Sequence, residues 1–404
     1  MTGSGTSLEP DAARRAPASS RRVVMLLENN PYPDDVRVRL EAEALAEAGH
    51  RVTVLAPRAS GQPRRERIAG VDVTRFHLPP ERATIAGLLV EYGVAHVQLI
   101  ARAVWHLIKG AQVVHLHNPP DTLFPAGLIA RALGRRVVFD NHDLTPELFE
   151  TKFGAKRVVA ALLRRAQRTS MRLADLVVAS NESQAEVAAA NRGERRGEVV
   201  VVRNGPRSRD LAEEPATRTG ALAEPRLVYL GQLAAQDGVT ELADLLSALR
   251  ERHGLLASLT VIGDGPARAE LERALVRRGM LERTRFHGWV PFHRVPALLA
   301  DADVCIDPAP CSPLNHRSTM TKIAEYLAAA RPVVAYDLTE TRRTVGDAAL
   351  LAPCGDHQGF AELVAQLAAS SDARGDLIDR ALARRTELVW ERSARVLIDA
   401  YGRL

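Results

Sequence analysis

The stretch RVVMLLENNPYPDDVRVRLEAEALAEAGHRVTVLA, residues 22–56, decides the fold class. Arg22–Leu27 is an apolar run of strand length. Val36–Ala48 spaces its apolar residues as a helix does and stops at Gly49, where a helix end needs a residue tolerant of positive φ. Val52–Ala56 is a second strand, so the stretch is one βαβ unit of a parallel sheet covered on both faces. The alternation continues through strands Val71–Phe76, Gln112–Leu116, Arg136–Asp140, Leu176–Ala179 and Val199–Val202. A polar, broken segment follows, and the pattern restarts with strands Arg226–Leu230, Leu259–Ile262, Thr284–His287, Val304–Ile306 and Pro332–Ala335. Helices are expected from Val239, from Ala267 and over Thr319–Ala329, with two long helices at the end. The fold class is therefore α/β, with two doubly wound Rossmann-like domains. A disordered tail covers 1–20, the first domain 21–205, a linker 206–224, the second domain 225–383 and a terminal helix 384–404. Ligands of such sheets sit at the carboxyl ends of the strands, so the loops there carry most weight.

Composition narrows the function. With 46% apolar and 25% charged residues in 404, the chain has ordinary globular content and enough length for two cores. Aromatic residues reach only 4% and no basic run interleaves them, which points away from nucleic acid. A net charge of +5 suits phosphate ligands or an anionic surface. The most apolar segment, Val94–Ile108, is broken by His96, Gln98, Arg102 and His106 and reads as a buried or interfacial helix, not a membrane span. Residues 1–20 lack the apolar core of a secretory signal, so a cytoplasmic location is expected. Cys305, Cys311 and Cys354 form no CxxC pair, and neither a disulfide framework nor a cysteine zinc site is expected. Residues 155–173 set Lys156, Arg157, Arg164, Arg165, Arg168 and Arg172 around apolar Val158–Leu163. That pattern fits either a surface helix packed on the first sheet or a peripheral contact with an anionic membrane.

Three strand-end loops carry chemistry. In Ile262-Gly263-Asp264-Gly265-Pro266, two glycines precede a helix start, which suits either close approach of a ligand to helix N–H groups or a tight turn alone. In the segment from Ser312 to Leu327, Ser318 or Thr319 is expected to cap a helix, and Lys322 and Glu325 share a face near its start. A cation beside helix N–H groups suits a diphosphate, and a carboxylate one turn on suits vicinal hydroxyls; an i,i+3 ion pair is the plain alternative. In the first domain, His115 and His117 point the same way on a strand, a spacing that can bind metal, yet the sequence offers no third ligand. Asp301 and Asp303 precede a strand and read as turn residues. His142, beside Asp143 after a strand, is placed to hydrogen-bond an acceptor.

Taken in order, Ala48–Val54, His115-Leu-His-Asn-Pro-Pro-Asp121, Asn204-Gly205, Gly263–Pro266, His287–Val290, Lys322–Tyr326, Arg331–Ala335 and Trp390-Glu391 resemble the retaining glycosyltransferases of GT-B fold and family 4. The NPPDTLF, HDLTPE and SPLNxRST segments are especially similar to the bacterial polysaccharide and glycoconjugate branch. The resemblance implies transfer of a sugar from a UDP- or GDP-sugar to an acceptor hydroxyl with retention, without a cofactor or a required metal. It also implies that the terminal helices return to the first domain. By the same resemblance Gly263 and Gly265 approach the nucleotide, Gly288 and Val290 flank the base, Glu325 takes the ribose hydroxyls, and His142 lies beside the transferred sugar. The resemblance further implies an acceptor that is a small molecule, a glycan or a lipid-linked species.

The chain also departs from that family. The loop Gly231-Gln-Leu-Ala-Ala-Gln-Asp237-Gly238 holds Gln232 and Asp237 where the family carries Arg and Lys, and Arg317 stands where the first of two glutamates is usual. Lys322 and the helix start at Thr319, with Arg317 or Arg37 assisting, are expected to supply the missing positive charge. The same losses suit a catalytically weak or silent homologue acting as a binding partner, and a nucleotide-sugar 2-epimerase shares the fold.

Overall fold

The computed structural model describes residues 20–78, 85–147, 149, 157–193, 197–211 and 218–404. The expected tail falls outside the described residues apart from Ser20, as do 212–217 of the expected linker and residues 155–156 of the basic segment.

The first sheet has the order β3-β4-β2-β1-β5-β6-β7-β8. Its strands are β1 (Arg22–Leu26), β2 (Arg51–Pro57), β3 (Arg65–Ile68), β4 (Val71–Phe76), β5 (Val113–His117), β6 (Arg136–Asn141), β7 (Leu176–Ala179) and β8 (Glu198–Val201). Helices α1 (Val36–Glu47), α2 (Ile85–Ile108), α3 (Phe124–Ala132), α4 (Arg157–Leu173) and α5 (Glu182–Arg192) fall between them. The second sheet has the order β11-β10-β9-β12-β13-β14. It is built from β9 (Arg226–Leu230), β10 (Ser258–Ile262), β11 (Thr284–Gly288), β12 (Val304–Asp307), β13 (Val333–Tyr336) and β14 (Leu350–Ala352). Its helices are α6 (Glu241–His253), α7 (Arg268–Arg277), α8 (Val295–Leu299), α9 (Pro313–Arg317), α10 (Thr321–Ala328), α11 (Thr339–Val345), α12 (His357–Ala369), α13 (Ser371–Leu388) and α14 (Trp390–Arg403).

The period of two along the strands explains how the second sheet is sandwiched. Leu227 and Tyr229 of β9, with Leu259 and Val261 of β10, pack on Leu242, Leu246 and Leu249 of α6 and on Phe360 and Val364 of α12. The alternate residues Val228 and Ile262, with Cys305 of β12 and Val333 of β13, pack on Ile323, Tyr326 and Leu327 of α10. Those three recur at i, i+3 and i+4, so α10 lays one stripe on the sheet while its start lies at the strand ends.

Two compact units emerge. One comprises residues 1–117, 125–138 and 398–404; the other comprises 118–124 and 139–397. The last residues of α14 thus belong with the first βαβ units, where the Tyr401 hydroxyl meets His115 Nδ1 at 2.8 Å. The loops after β6, β7, β9, β10 and β12 all lie in the second unit. No helix among the described residues is long and apolar enough to cross a membrane. In α2, Ala95, Leu99, Ala103 and Leu107 are buried while Val97, Trp105 and Ile108 are exposed, which makes it an amphipathic surface helix.

Candidate active site

Around α10 the structure corrects the reading of its start and of its lysine. The helix begins at Thr321 with Met320 as N-cap, and no side chain caps it. Ser318 Oγ instead donates to the Leu314 carbonyl at 2.8 Å, and Thr319 Oγ1 accepts from Asn181 Nδ2 at 2.9 Å. Pro313 and the Ser312 cap have already begun the separate short helix α9, which the sequence pattern merged with its neighbour.

Lys322 is buried, and its ammonium lies 3.1 Å from Asp307 Oδ1 and 3.3 Å from Asp237 Oδ1. It also donates to the Tyr229 hydroxyl at 3.3 Å and sits 4.7 Å from the centre of that ring. Burial alone would lower its pKa, but the facing Asp307 carboxylate, the Tyr229 hydroxyl and Asp237 outweigh it and hold the lysine charged. Burial raises Asp237 against the opposing pull of Lys322. Lys322 is therefore not the uncommitted cation expected from the sequence. Two carboxylates already face it, and Asp237, which stands where the family carries a cation, is one of its counter-ions. Asp307, at the carboxyl end of β12, escaped the sequence reading because only the sheet brings it to Lys322.

Glu325 does not pair with Lys322, so the plain i,i+3 ion pair does not form. Burial, with the charge of Asp210 adding, pushes its carboxyl up to about 7. Such a group gains most from hydroxyl donors that would stabilise its ionised form.

The glycines have a packing reason of their own. Gly263 has φ +131° and its N–H donates to the Gly288 carbonyl at 2.9 Å; a Cβ there would overlap the Gly231 carbonyl. A Cβ on Gly265 would overlap the Leu233 carbonyl. Gly263 and Gly265 thus let the loop after β10 lie against the loop after β9, which accounts for them without a ligand. Gly288, at φ +64°, would bring a Cβ into ordinary contact with Asp264 Oδ2 at 3.8 Å, and Val290 is partly buried against the α10 core. Asp264 accepts from the Gly265 N–H at 2.8 Å and pairs with Arg268 at 2.9 Å, which holds its carboxyl below the usual range.

His142 lies in a loop stapled by Asn118. Asn118 Oδ1 accepts from the N–H groups of His142 and Asp143 at 2.9 and 3.1 Å, and its amide donates to Asp121, Asn141 and the Asp143 carbonyl. The ring is set by Asp140 Oδ2, 2.9 Å from Nδ1, with Asp140 wholly buried. Burial pushes Asp121 up to about 7. A hydrogen-bonded path then runs onward. Gln184 Nε2 donates to the His142 carbonyl at 3.1 Å, Gln184 N donates to Asn181 Oδ1 at 2.8 Å, and Asn181 Nδ2 reaches Thr319 Oγ1 and the Arg317 carbonyl, each at 2.9 Å. His142, Thr319 and Arg317 are so brought together within the second unit; Arg317 also lies 3.6 Å from Glu147. Asn118, Asp121, Asp140, Asn181 and Gln184 were missed as site residues. The NPPD segment held the signal for the first two, the strand end just before His142 for Asp140, and the N-cap position of Asn181 for the fourth.

Arg37 belongs to the first unit, buried beside Glu41 at 3.2 Å, so its charge is already matched there. Glu41 also supplies the third ligand-type group that the sequence did not offer, 3.7 Å from His115 Nε2, with the His117 ring stacked 4.2 Å from His115. Asp303 is a structural residue, accepting from the Arg226 N–H and from Arg218, both at 2.8 Å. One expectation is overturned outright: Cys311 and Cys354 form a disulfide. Their strand-end loops adjoin only after folding, so sequence spacing carried no sign of it.

With this geometry in hand, comparison with known proteins places the chain. Residues 35–205 match the Glycosyl transferase 4-like domain family, and residues 224–370 match the Glycosyl transferases group 1 family. The chain belongs to the glycosyltransferases of GT-B fold and family 4 type. It is 27% identical over 333 residues to the 2-deoxystreptamine glucosyltransferase of Streptomyces kanamyceticus, covering 77% of this chain and 82% of that protein. It is 26% identical over 342 residues to the 2-deoxystreptamine N-acetyl-D-glucosaminyltransferase of Streptomyces fradiae, covering 79% and 78%. Among solved structures it resembles Anabaena HepE in complex with UDP-glucose, with a TM-score of 0.71, 16% identity and coverage of 95% and 100%. It also resembles sucrose-phosphate synthase from Thermosynechococcus elongatus, with a TM-score of 0.68, 16% identity and coverage of 95% and 98%. At those identities the two structures speak for the fold.

Proposed function

We propose that the protein transfers a sugar from a nucleotide-sugar donor to an acceptor hydroxyl with retention of configuration, without a metal, in the biosynthesis of a glycoconjugate. The observation that carries this reading is the path from His142 through Gln184 and Asn181 to Thr319. It ties the loop expected to meet the acceptor to the segment that opens the donor-side helix. Glu325 would take the ribose hydroxyls, and the uncapped N–H groups at the start of α10, with Arg317, would face the diphosphate. Catalysis would then lie in stabilising the departing phosphate by groups already in place, with a phosphate oxygen accepting the acceptor proton. His142, its ring held by Asp140, would orient the transferred sugar. The two Streptomyces relatives, both named for 2-deoxystreptamine, make an aminocyclitol the first acceptor to try beside glycan and lipid-linked ones.

A donor panel with the purified protein, read by mass spectrometry with and without chelator, tests this. Turnover of a UDP- or GDP-sugar unaffected by chelator is expected, and binding of no sugar nucleotide would overturn it. A silent binding homologue is the second reading, favoured by the two carboxylates that already face Lys322; calorimetry that detects no heat with any sugar nucleotide would select it. Membrane contact through α4 is supported by Val158 and Leu162, which are 74% and 61% exposed beside Arg164, Arg165, Arg168 and Arg172. Flotation with anionic vesicles at low salt should recover the protein if that contact forms.

A further inference from the structure

We propose that Cys311 and Cys354, with His316, form a thiol–disulfide exchange site for low-molecular-weight thiols at the strand ends of the second sheet. Cys311 follows β12 and immediately precedes Ser312, the cap of α9, while Cys354 follows β14. Their Cα atoms lie 5.7 Å apart across a sequence separation of 43, and both residues are exposed. Exposure makes a disulfide reachable by small thiols, unlike a bond inside a core. Cys305, by contrast, is buried, and burial pushes its thiol up, so it stays out of the exchange.

His316 gives the pair a direction. The backbone N–H of Thr339 donates to His316 Nδ1 at 3.3 Å, and the Thr339 hydroxyl lies 3.1 Å from the same nitrogen. Nδ1 is therefore the acceptor, and the ring proton resides on Nε2, which lies 3.9 Å from Cys354 Sγ. An N–H facing that sulfur stabilises it as a departing thiolate, so Cys354 is the leaving thiol and Cys311 the sulfur attacked. An external thiolate bonds to Cys311 Sγ, the Cys311–Cys354 bond breaks, and its electron pair goes to Cys354 beside His316. A second external thiolate then attacks the external sulfur of the mixed disulfide and releases Cys311 as a thiolate. Two external thiols become one disulfide, their two protons pass to Cys311 and Cys354, and the protein is reduced by two electrons. The protonated Cys354 has the Asp337 carbonyl, 3.6 Å from its sulfur, as acceptor.

The site adjoins the donor-side loops. Asn315 of α9 donates to the carbonyls of Gln236 and Pro310, each at 2.8 Å, and Gln236 precedes Asp237, the counter-ion of Lys322. Opening the disulfide releases one tether of this segment. The consequence for donor binding rests on the sugar-nucleotide reading above, whereas the exchange chemistry does not.

The test uses the full-length protein. After equilibration with oxidised glutathione and denaturing alkylation, mass spectrometry should find one alkylated cysteine, Cys305, and all three after dithiothreitol. Cys354→Ser should trap glutathione on Cys311, and His316→Ala should slow reduction of the wild-type disulfide by about tenfold. Three alkylatable cysteines after the oxidised treatment, or a rate unchanged in His316→Ala, would overturn the site. With an identified donor, reduction should raise its KM several-fold in the wild type and leave Cys311→Ser/Cys354→Ser unaffected. An equal KM in both redox states would refute the coupling alone, and absence of turnover with any donor would count against the glycosyl-transfer reading while the thiol results stood.

Discussion

Replacing Lys322 by Met tests the charge arrangement at the start of α10. The methionine keeps most of the side-chain volume but removes the ammonium that lies 3.1 and 3.3 Å from Asp307 and Asp237. At an effective dielectric of about 20, each contact contributes about 5 kcal/mol of attraction, much of it offset by the cost of bringing three charges out of water. The lysine is 6% exposed and the Asp307 side chain 0%, so the variant leaves a buried carboxylate with its counter-ion gone. A net loss of about 3–5 kcal/mol is expected. Urea unfolding followed by circular dichroism at pH 7 measures it, and the loss should shrink toward acid pH, where protonated carboxyls need no counter-ion. Adding Asp237→Asn and Asp307→Asn to Lys322→Met should recover much of the stability. A single variant that loses less than about 1 kcal/mol, the range of an exposed ion pair, would refute the buried arrangement. If instead stability held and only diphosphate affinity fell, Lys322 would be a phosphate ligand and the two aspartates spectators.

Other outcomes follow from the same geometry. Glu325 is raised in the folded state from its ordinary 4.5 to about 7, so the folded protein holds the extra proton and this contribution to stability is lost as pH rises through that window. Glu325→Gln should flatten the pH–stability slope between those values and raise the donor KM at pH 8, as titration calorimetry and initial rates will show. Gly263→Ala sets a Cβ against the Gly231 carbonyl at φ +131° and should cost about 3 kcal/mol or more, whereas Gly288→Ala meets only Asp264 Oδ2 in ordinary contact at φ +64° and should cost about 1 kcal/mol, both read by urea unfolding. Asp140→Asn keeps the shape but weakens the hold on His142 Nδ1, and kcat should fall by about a hundredfold with donor affinity unchanged.

Local signals were enough for the architecture. Strands β1 and β2 announce themselves through apolar runs, β4 through alternation, and helix α1 through helical spacing and the stop at Gly49, because each property depends on residues a few positions apart. The edge strand β3, Arg65-Glu-Arg-Ile68, escaped notice because an antiparallel edge half in water needs no apolar run, and β14 has only three residues. The order of motifs also marked the family and the loops that matter. Which partners those loops bring together was decided by tertiary structure. Lys322 meets Asp237 and Asp307 across 85 and 15 residues, Asn181 meets Thr319 across 138, and Cys311 meets Cys354 across 43. Sequence gives the chemical types at strand ends, but charge balance and bonding there depend on distances that parallel sheets set only by stacking strands far apart in the chain.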